Sequence, residues 1–289
     1  MKVVVMWSGG KDSQACLIHS VKKYGAKNVI AIFCDTGWEH EVTLAHVNDV
    51  CKQMDIELIT LKSDKQFEEL CIHKHIFPTG TRRFCTVELK VKPFIDWLLS
   101  QDDSFIIVQG IRASESAKRA KFDVECDYFE EYHTGKATYR KSDVLEWAKT
   151  HDASVIRPIF EWSAQEVVDY ILSNGQELNS LYKKGASRVG CYPCVYARLQ
   201  EVKIVAKDEK YRDRLLRLER RVTDAMTKDG CVANFFQSGK IPERFCLTNA
   251  NKSPTVREVF DYVTRYDDFP SLFEDDDESC MSVYHGLCE

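Results

Sequence analysis

The sequence predicts an α/β protein. Its centre is a doubly wound, mainly parallel five-stranded sheet, and a mainly helical C-terminal region follows. Three observations carry this. Short apolar, β-branched runs recur at Lys2–Trp7, Asn28–Cys34, Ile56–Leu61, Phe105–Gln109 and Ser154–Ile159. Amphipathic segments, Ser13–Lys23 and Glu41–Met54, separate the first three runs. The runs are nearly continuous in apolar residues, as strands buried on both faces are.

Taken in order, Val3-Val4-Val5-Met6-Trp7 forms the first strand and meets Ser8-Gly9-Gly10-Lys11-Asp12-Ser13, after which a helix starts at once. The segment from Thr86 to Ser100 reads as a further helix, with Leu89, Phe94 and Trp97 on its apolar side. The stretch "KFDVECDYFEEYHTGKATYRKS", residues 121–142, is polar and aromatic and reads as an inserted hairpin or lid turning at Gly135. Ser163 followed by Glu166 marks a capped helix start. One long charged helix is expected from about Val195 to Thr227, with leucines among arginines defining one buried stripe. The tail carries an acidic run, Glu274–Glu278, read as solvated, and the stretch "SCMSVYHGLCE". The expected organisation is a nucleotide-binding domain over 1–195 and a helical region with a cysteine-containing tail over 196–289.

Composition narrows the partners. The 289 residues carry a net charge of -5, 44% apolar and 29% charged side chains, as an ordinary globular chain does. Wholesale coating of nucleic acid is not expected at this charge. A local basic groove is open to Arg82, Arg83, Lys90 and Lys92. No run approaches the ~20 apolar residues of a membrane span, and the start shows no signal-peptide pattern, so a cytoplasmic protein is expected. Some of the 12 cysteines are then buried, inert thiols, and Cys16, Cys51 and Cys71 suit apolar helix faces.

Strand, glycine loop and helix together focus backbone N–H groups and the positive end of a helix on one point. Gly9 and Gly10 let the backbone approach an anion, Ser8 and Ser13 add hydroxyls, and Lys11 adds charge. Asp12 can cap the helix or help to hold Mg²⁺. The common P-loop pattern is absent. Asp35-Thr36-Gly37 ends the second strand, at the edge where open α/β sheets bind ligands. Arg112 follows the fourth strand at the same edge and could pair with phosphate. Asp35 could instead be a helix cap, and Arg112 a surface ion pair. Cys191-Tyr192-Pro193-Cys194 fits zinc, an iron–sulfur cluster or a redox dithiol.

The loop Ser8–Ser13 resembles the pyrophosphate-binding loop (PP-loop) of the adenine nucleotide α-hydrolase superfamily. Together with "CDTGWEHE", "TRRFCTVELKVKP" (Thr81–Pro93) and "GIRASES" (Gly110–Ser116), it is identified as a member of the phosphoadenosine phosphosulfate reductase family over roughly residues 1–200. The single cysteine after Arg-Phe, with a later Gly-Cys-x-x-Cys, is most similar to the DNA phosphorothioation-type sulfurtransferases. The resemblance implies ATP cleavage between the α and β phosphates, adenylation of an acceptor, and iron–sulfur-assisted sulfur transfer, with nucleic acid (DNA or RNA) or a nucleotide as acceptor. It implies ATP, Mg²⁺ and a [4Fe–4S] cluster as cofactors, with a sulfur donor such as a cysteine desulfurase and a homodimer as expected partners. Implied catalytic residues are Lys11, Asp12, Arg112 and Cys85. Implied nucleotide contacts are Ser8, Gly9, Gly10, Lys11, Asp12, Ser13, Asp35, Thr36, Gly37, Arg82, Arg83 and Gly110. Implied cluster ligands are Cys85, Cys191, Cys194 and, as fourth, Cys280, with Cys288, Cys246 or an external sulfur as alternatives; Phe84 stands where the reductases have a further cysteine.

Competing readings are a sulfonucleotide reductase using Cys288, although its usual ending is absent and its kind has a degraded loop, and a nucleotide-binding adaptor that has lost catalysis. A third, sulfate adenylylation, rests on the likeness of "DTGWEHE" to the sulfate adenylyltransferase small subunit, a family without the three cysteines.

Overall fold

A computed structural model describes residues 2–226 and 232–266. Strand β1 (Lys2–Met6) leads through the loop into helix α1 (Lys11–Tyr24) and then β2 (Val29–Asp35), α2 (Glu41–Gln53), β3 (Glu57–Lys62) and α3 (Phe67–Lys74). A short helical turn α4 (Phe84–Thr86) passes through a π-helical turn, Val87–Val91, into α5 (Lys92–Leu99). Then come β4 (Phe105–Val108), β5 (Glu125–Asp127), α6 (Glu130–His133), α7 (Lys141–Trp147), β6 (Ala153–Ile156), α8 (Ala164–Ser173) and α9 (Ser180–Lys183). Helices α10 (Leu199–Lys207), α11 (Glu209–Ala225) and α12 (Val256–Arg265) complete the C-terminal part.

The strands lie in the order β3-β2-β1-β4-β6-β5. All pairings are parallel except β5 with β6. Alternation along β1 divides the core. Val3, Val5 and Trp7 face α1, α2 and α8, whereas Val4 and Met6 face the layer built on Phe94, Ile95, Leu98 and Trp147. Helices therefore cover both faces, as a doubly wound sheet requires. The strand order reverses between β1 and β4, and the carboxyl ends of those two strands flank the site.

Three expectations are corrected. The sheet has six strands, not five: β5 comes from the stretch expected to be a hairpin or lid. That stretch is anchored to the sheet, because Tyr128, Phe129 and Tyr132 are buried beside Phe94 and Trp147. The expected helix from Val195 to Thr227 is two helices. Asp208 leaves the helical conformation (φ -94°, ψ 103°) and its carboxylate accepts the Tyr211 amide, so α10 ends and α11 begins there. The Thr86–Ser100 helix carries the π-helical turn. The capped start at Ser163 is present, with Ser163 Oγ accepting from the Glu166 amide at 3.2 Å.

A third apolar cluster joins Trp38, Phe67 and Phe77 to Val189, Tyr192 and Val195 and to the C-terminal helices through Leu215, Leu218, Phe235 and Val259. It fixes the Cys191–Cys194 turn against the end of β2. Among the described residues no helix is long and apolar enough to cross a membrane.

Candidate active site

The Ser8–Ser13 loop is held from within by its own hydroxyls. Ser8 Oγ and Ser13 Oγ lie 3.0 Å apart, Ser13 Oγ donates to the Gly10 carbonyl at 3.1 Å, and the Ser8 amide donates to Ser13 Oγ at 3.3 Å. These bonds curl the chain into the start of α1, whose first-turn amides have no acceptors within the helix. Gly9 sits at φ 84°, and a Cβ there would stand 2.7 Å from Thr43 Cγ2. Gly110 is needed for a different reason. A Cβ on it would meet the Ser13 nitrogen at 2.8 Å and the Asp12 carbonyl carbon at 2.9 Å. The chain after β4 thus runs against the backbone of the α1 start.

Asp12 is 1% exposed and sits between two cations. One carboxylate oxygen meets Lys11 Nζ at 2.6 Å and the other meets Arg112 Nε at 2.6 Å. Asp12, expected to cap the helix or help to hold Mg²⁺, bridges Lys11 to Arg112 here. Arg112 is buried; its Nη1 donates to Ser114 Oγ at 3.0 Å and its amide to Glu115 Oε2 at 2.9 Å. The surface ion pair considered for Arg112 is therefore a buried one.

Asp35 ends β2 as expected, and its carboxylate is engaged. Oδ1 accepts the Gly37 amide at 2.9 Å, and Oδ2 pairs with Lys62 at 2.8 Å. Thr36 donates its hydroxyl to Glu39 Oε1 at 2.6 Å, while the Thr36 and Trp38 amides meet Glu39 Oε2 at 3.2 and 3.1 Å. Burial pushes the Glu39 carboxyl above its ordinary range, opposed by the Thr36 hydrogen bond and the charge of Lys90. Gly37, at φ 69°, turns tightly against Gln66.

Two clefts open here. One, enclosing about 470 Å³ open to solvent, is walled by Trp7, Ser8, Ser13, Phe33, Glu39, Lys90 and Gly110. Its neighbour reaches Arg188, Cys191, Cys194 and Glu201, and the two share Ser8, Lys90 and Gly190. The Cys191–Cys194 turn is docked on the β2 end. Cys191 bridges to Glu39, the Tyr192 amide donates to the Trp38 carbonyl at 2.7 Å, and Trp38 Nε1 donates to the Pro193 carbonyl at 2.9 Å. Arg83 stacks over Tyr196, 4.8 Å from the ring centroid, whereas Arg82 is exposed, tied through its amide to Thr79.

Among the described residues no group of three or more His, Cys, Asp or Glu side chains is placed to hold a metal ion. Cys85 lies in the electrostatic surroundings of Cys71, whose thiol burial pushes up. Cys246 is fully buried in the C-terminal core, with its thiol on the Pro242 carbonyl. Cys280 and Cys288 lie outside the described residues, as does the run Glu274–Glu278.

Sequence reasoning missed the segment behind the loop. Asn179, fully buried, reaches the Gly9 carbonyl at 3.4 Å and Thr43 Oγ1 at 3.3 Å. Gln14 Nε2 donates to the Glu177 carbonyl at 2.9 Å. The Lys11 amide donates to the Tyr182 hydroxyl at 3.0 Å. Lys90, buried to 8% exposure, lines both clefts; its place among Arg82, Arg83 and Lys92 in a basic stretch was its only signal.

The family model described as phosphoadenosine phosphosulfate reductase domain matches residues 2–197. An uncharacterized protein of Methanocaldococcus jannaschii is 30% identical over 71% of this chain, and the match spans 38% of that longer protein. An uncharacterized 37.8 kDa protein of Escherichia phage 186 is 27% identical over 99% of this chain and 96% of its own length. Among solved structures, the phosphoadenylyl-sulfate reductase of Candida auris in its phosphate complex aligns with a TM-score of 0.48 at 17% identity, covering 67% of this chain and 82% of that one.

Proposed function

The chain belongs to the phosphoadenosine phosphosulfate reductase family, and from that premise we propose that it is an ATP pyrophosphatase-type enzyme that adenylates an acceptor and passes sulfur to it. The acceptor in this proposal is a nucleic acid or a nucleotide. One observation carries the reading: the loop cleft and the Cys191–Cys194 cleft adjoin, sharing Ser8, Lys90 and Gly190. Phosphate chemistry and thiol chemistry would then address one space.

In this reading the β and γ phosphates of ATP lie over the start of α1, against Ser8, Gly9, Gly10, Lys11 and Ser13. Asp35, Thr36 and Gly37 flank the nucleoside. An acceptor oxygen attacks the α phosphorus, the bond to the bridging oxygen breaks, and pyrophosphate leaves. Lys11 and Arg112, pre-set by Asp12, offset the charge that grows on the leaving group. Arg82 and Arg83 stand further out, toward the acceptor. Sulfur carried as a persulfide on Cys191 or Cys194, supplied by a donor protein, then attacks the activated carbon. The carbon–oxygen bond breaks, AMP departs, and the sulfur joins the acceptor to that cysteine as a disulfide. The other cysteine of the pair attacks the cysteine sulfur, the S–S bond to the acceptor breaks, the thiolated acceptor leaves, and an external dithiol reduces the resulting Cys191–Cys194 disulfide.

The test is turnover of α-labelled ATP with nucleic acid present. AMP and pyrophosphate are the expected products, and Lys11→Ala is expected to abolish them while the protein stays folded. ADP as product, or undiminished AMP release by Lys11→Ala, would overturn the assignment. The competing sulfonucleotide reductase reading would be favoured by release of sulfite from adenylyl sulfates.

A further inference from the structure

Tyr182 stands 171 residues from Lys11 in the chain, yet its hydroxyl oxygen accepts the Lys11 amide at 3.0 Å. Lys11 Nζ lies 5.9 Å from the centroid of the same ring. The two groups of the loop best suited to a phosphate, its first helical amide and its ammonium, therefore both face one tyrosine. An amide at a helix start needs an acceptor, and a buried one without a partner is costly. We propose that Tyr182 is a place-holder in the pyrophosphate site, its hydroxyl oxygen occupying the position of a phosphate oxygen until the nucleotide displaces it. This rests on the loop being the phosphate site of the proposed function.

The surrounding bonds make the contact a built one. Segment 177–182 is strapped to the loop at two further points, the Glu177 carbonyl on Gln14 and the Asn179 side chain on the Gly9 carbonyl. Asn179 Oδ1 accepts the Leu181 amide at 3.0 Å, which starts α9, and Leu181 is buried in the C-terminal core. Asn179 and Leu181 can stay in place while the Tyr182 ring swings, because Tyr182 is only partly buried. The tyrosine holds the amide in its anion-facing direction without a ligand and competes with the ligand for it. It is a positioning residue that sets phosphate affinity.

The experiment is calorimetric binding of inorganic pyrophosphate, ATP and adenosine to the full chain as wild type, Tyr182→Phe and Lys11→Ala. Phenylalanine keeps the ring and removes the competing oxygen. A neutral hydrogen bond is worth about 0.5–1.5 kcal/mol net, so pyrophosphate and ATP are expected to bind roughly 2- to 10-fold tighter to Tyr182→Phe. Adenosine affinity is expected to stay unchanged, which a general loosening of the fold would not produce. Weaker pyrophosphate binding by Tyr182→Phe would mean that the hydroxyl stays on the ligand, and equal binding would mean that it does not compete; either overturns the place-holder. Undiminished pyrophosphate binding by Lys11→Ala would instead overturn the loop assignment beneath it.

Discussion

Gly110→Ala adds one methyl group at the point where two backbones touch. The new Cβ would stand 2.8 Å from the Ser13 nitrogen, 2.9 Å from the Asp12 carbonyl carbon and 3.0 Å from Ser13 Cα, against an ordinary contact of at least 3.4 Å. All three neighbours are backbone, so no side chain can turn away. The chain after β4 and the start of α1 must separate by about 0.6 Å. Overpacking of this kind costs roughly 1–3 kcal/mol. The functional loss is expected to be larger than the stability loss, because the displaced amide belongs to the proposed phosphate cradle, and misplacement by ~1 Å can cost on the order of 100-fold. Denaturant unfolding and pyrophosphate calorimetry separate the two effects. Gly25→Ala is the control. Gly25 has φ 83° and ψ 143° and open space around it, so alanine there meets only backbone strain, roughly 1–3 kcal/mol, far from the loop. If Gly110→Ala binds pyrophosphate and turns over ATP like the wild type, the close approach does not shape the site, and the reasoning from Gly110 fails.

Two further outcomes follow from buried charge. Asp12→Asn removes the carboxylate between Lys11 and Arg112, leaving a buried guanidinium without its counter-charge, and is expected to destabilise by about 3–5 kcal/mol in denaturant unfolding; a change below about 1 kcal/mol would show the bridge to be dispensable. Glu219 is buried with its carboxylate on the Val256 amide at 2.9 and 3.0 Å, and burial pushes it up to about 7. A carboxyl raised in the folded state contributes most below its unfolded value, near 4.5, and loses that contribution as pH climbs through about 7. The shift corresponds to roughly 3 kcal/mol. Unfolding free energies of wild type and Glu219→Gln from pH 4.5 to 8 are therefore expected to diverge by that order, with the variant less sensitive to rising pH; parallel curves would contradict the assignment.

Legibility in the sequence followed the range of the interactions. The Ser8–Ser13 loop is made by bonds among residues at most five positions apart, so its pattern is local and readable. The first four parallel strands and β6 announce themselves by apolar runs. Strand β5 does not, because three residues, Glu125-Cys126-Asp127, are too short to show a period and two of them are charged. The break at Asp208 does not show, because the charged run continues through it and the leucine stripe, Leu215, Leu216 and Leu218, lies wholly beyond it. Tyr182 and Asn179 could not be found at all. Each acts across more than 130 residues, and Asn-Ser-Leu-Tyr reads only as a helix opening. The cysteines are read through their spacing and a resemblance, and Cys280, expected as the fourth ligand, lies outside the described residues.

The arginines of α11 show how the same limit conceals function on a surface. From the sequence they form the polar side of an amphipathic helix, and Arg220, 84% exposed, fits that description. Arg214 does not. Its Nη2 donates to the Gly37 carbonyl at 2.6 Å, its Nε pairs with Glu68 at 2.7 Å, and its guanidinium lies 4.3 Å over the Trp38 ring. One turn earlier, the Tyr211 hydroxyl accepts the Glu41 amide at 3.0 Å and its ring stacks on His40 at 4.5 Å. Helix α11 thereby grips both sides of the Asp35–Glu39 turn, which in turn carries Cys191 through Glu39 and Pro193 through Trp38. The sheet alone leaves that turn as a loop at a strand end, where backbone freedom is greatest. The C-terminal helices remove that freedom, so the proposed nucleoside side of the cleft and the cysteine turn are positioned by a part of the chain beyond the matched family domain.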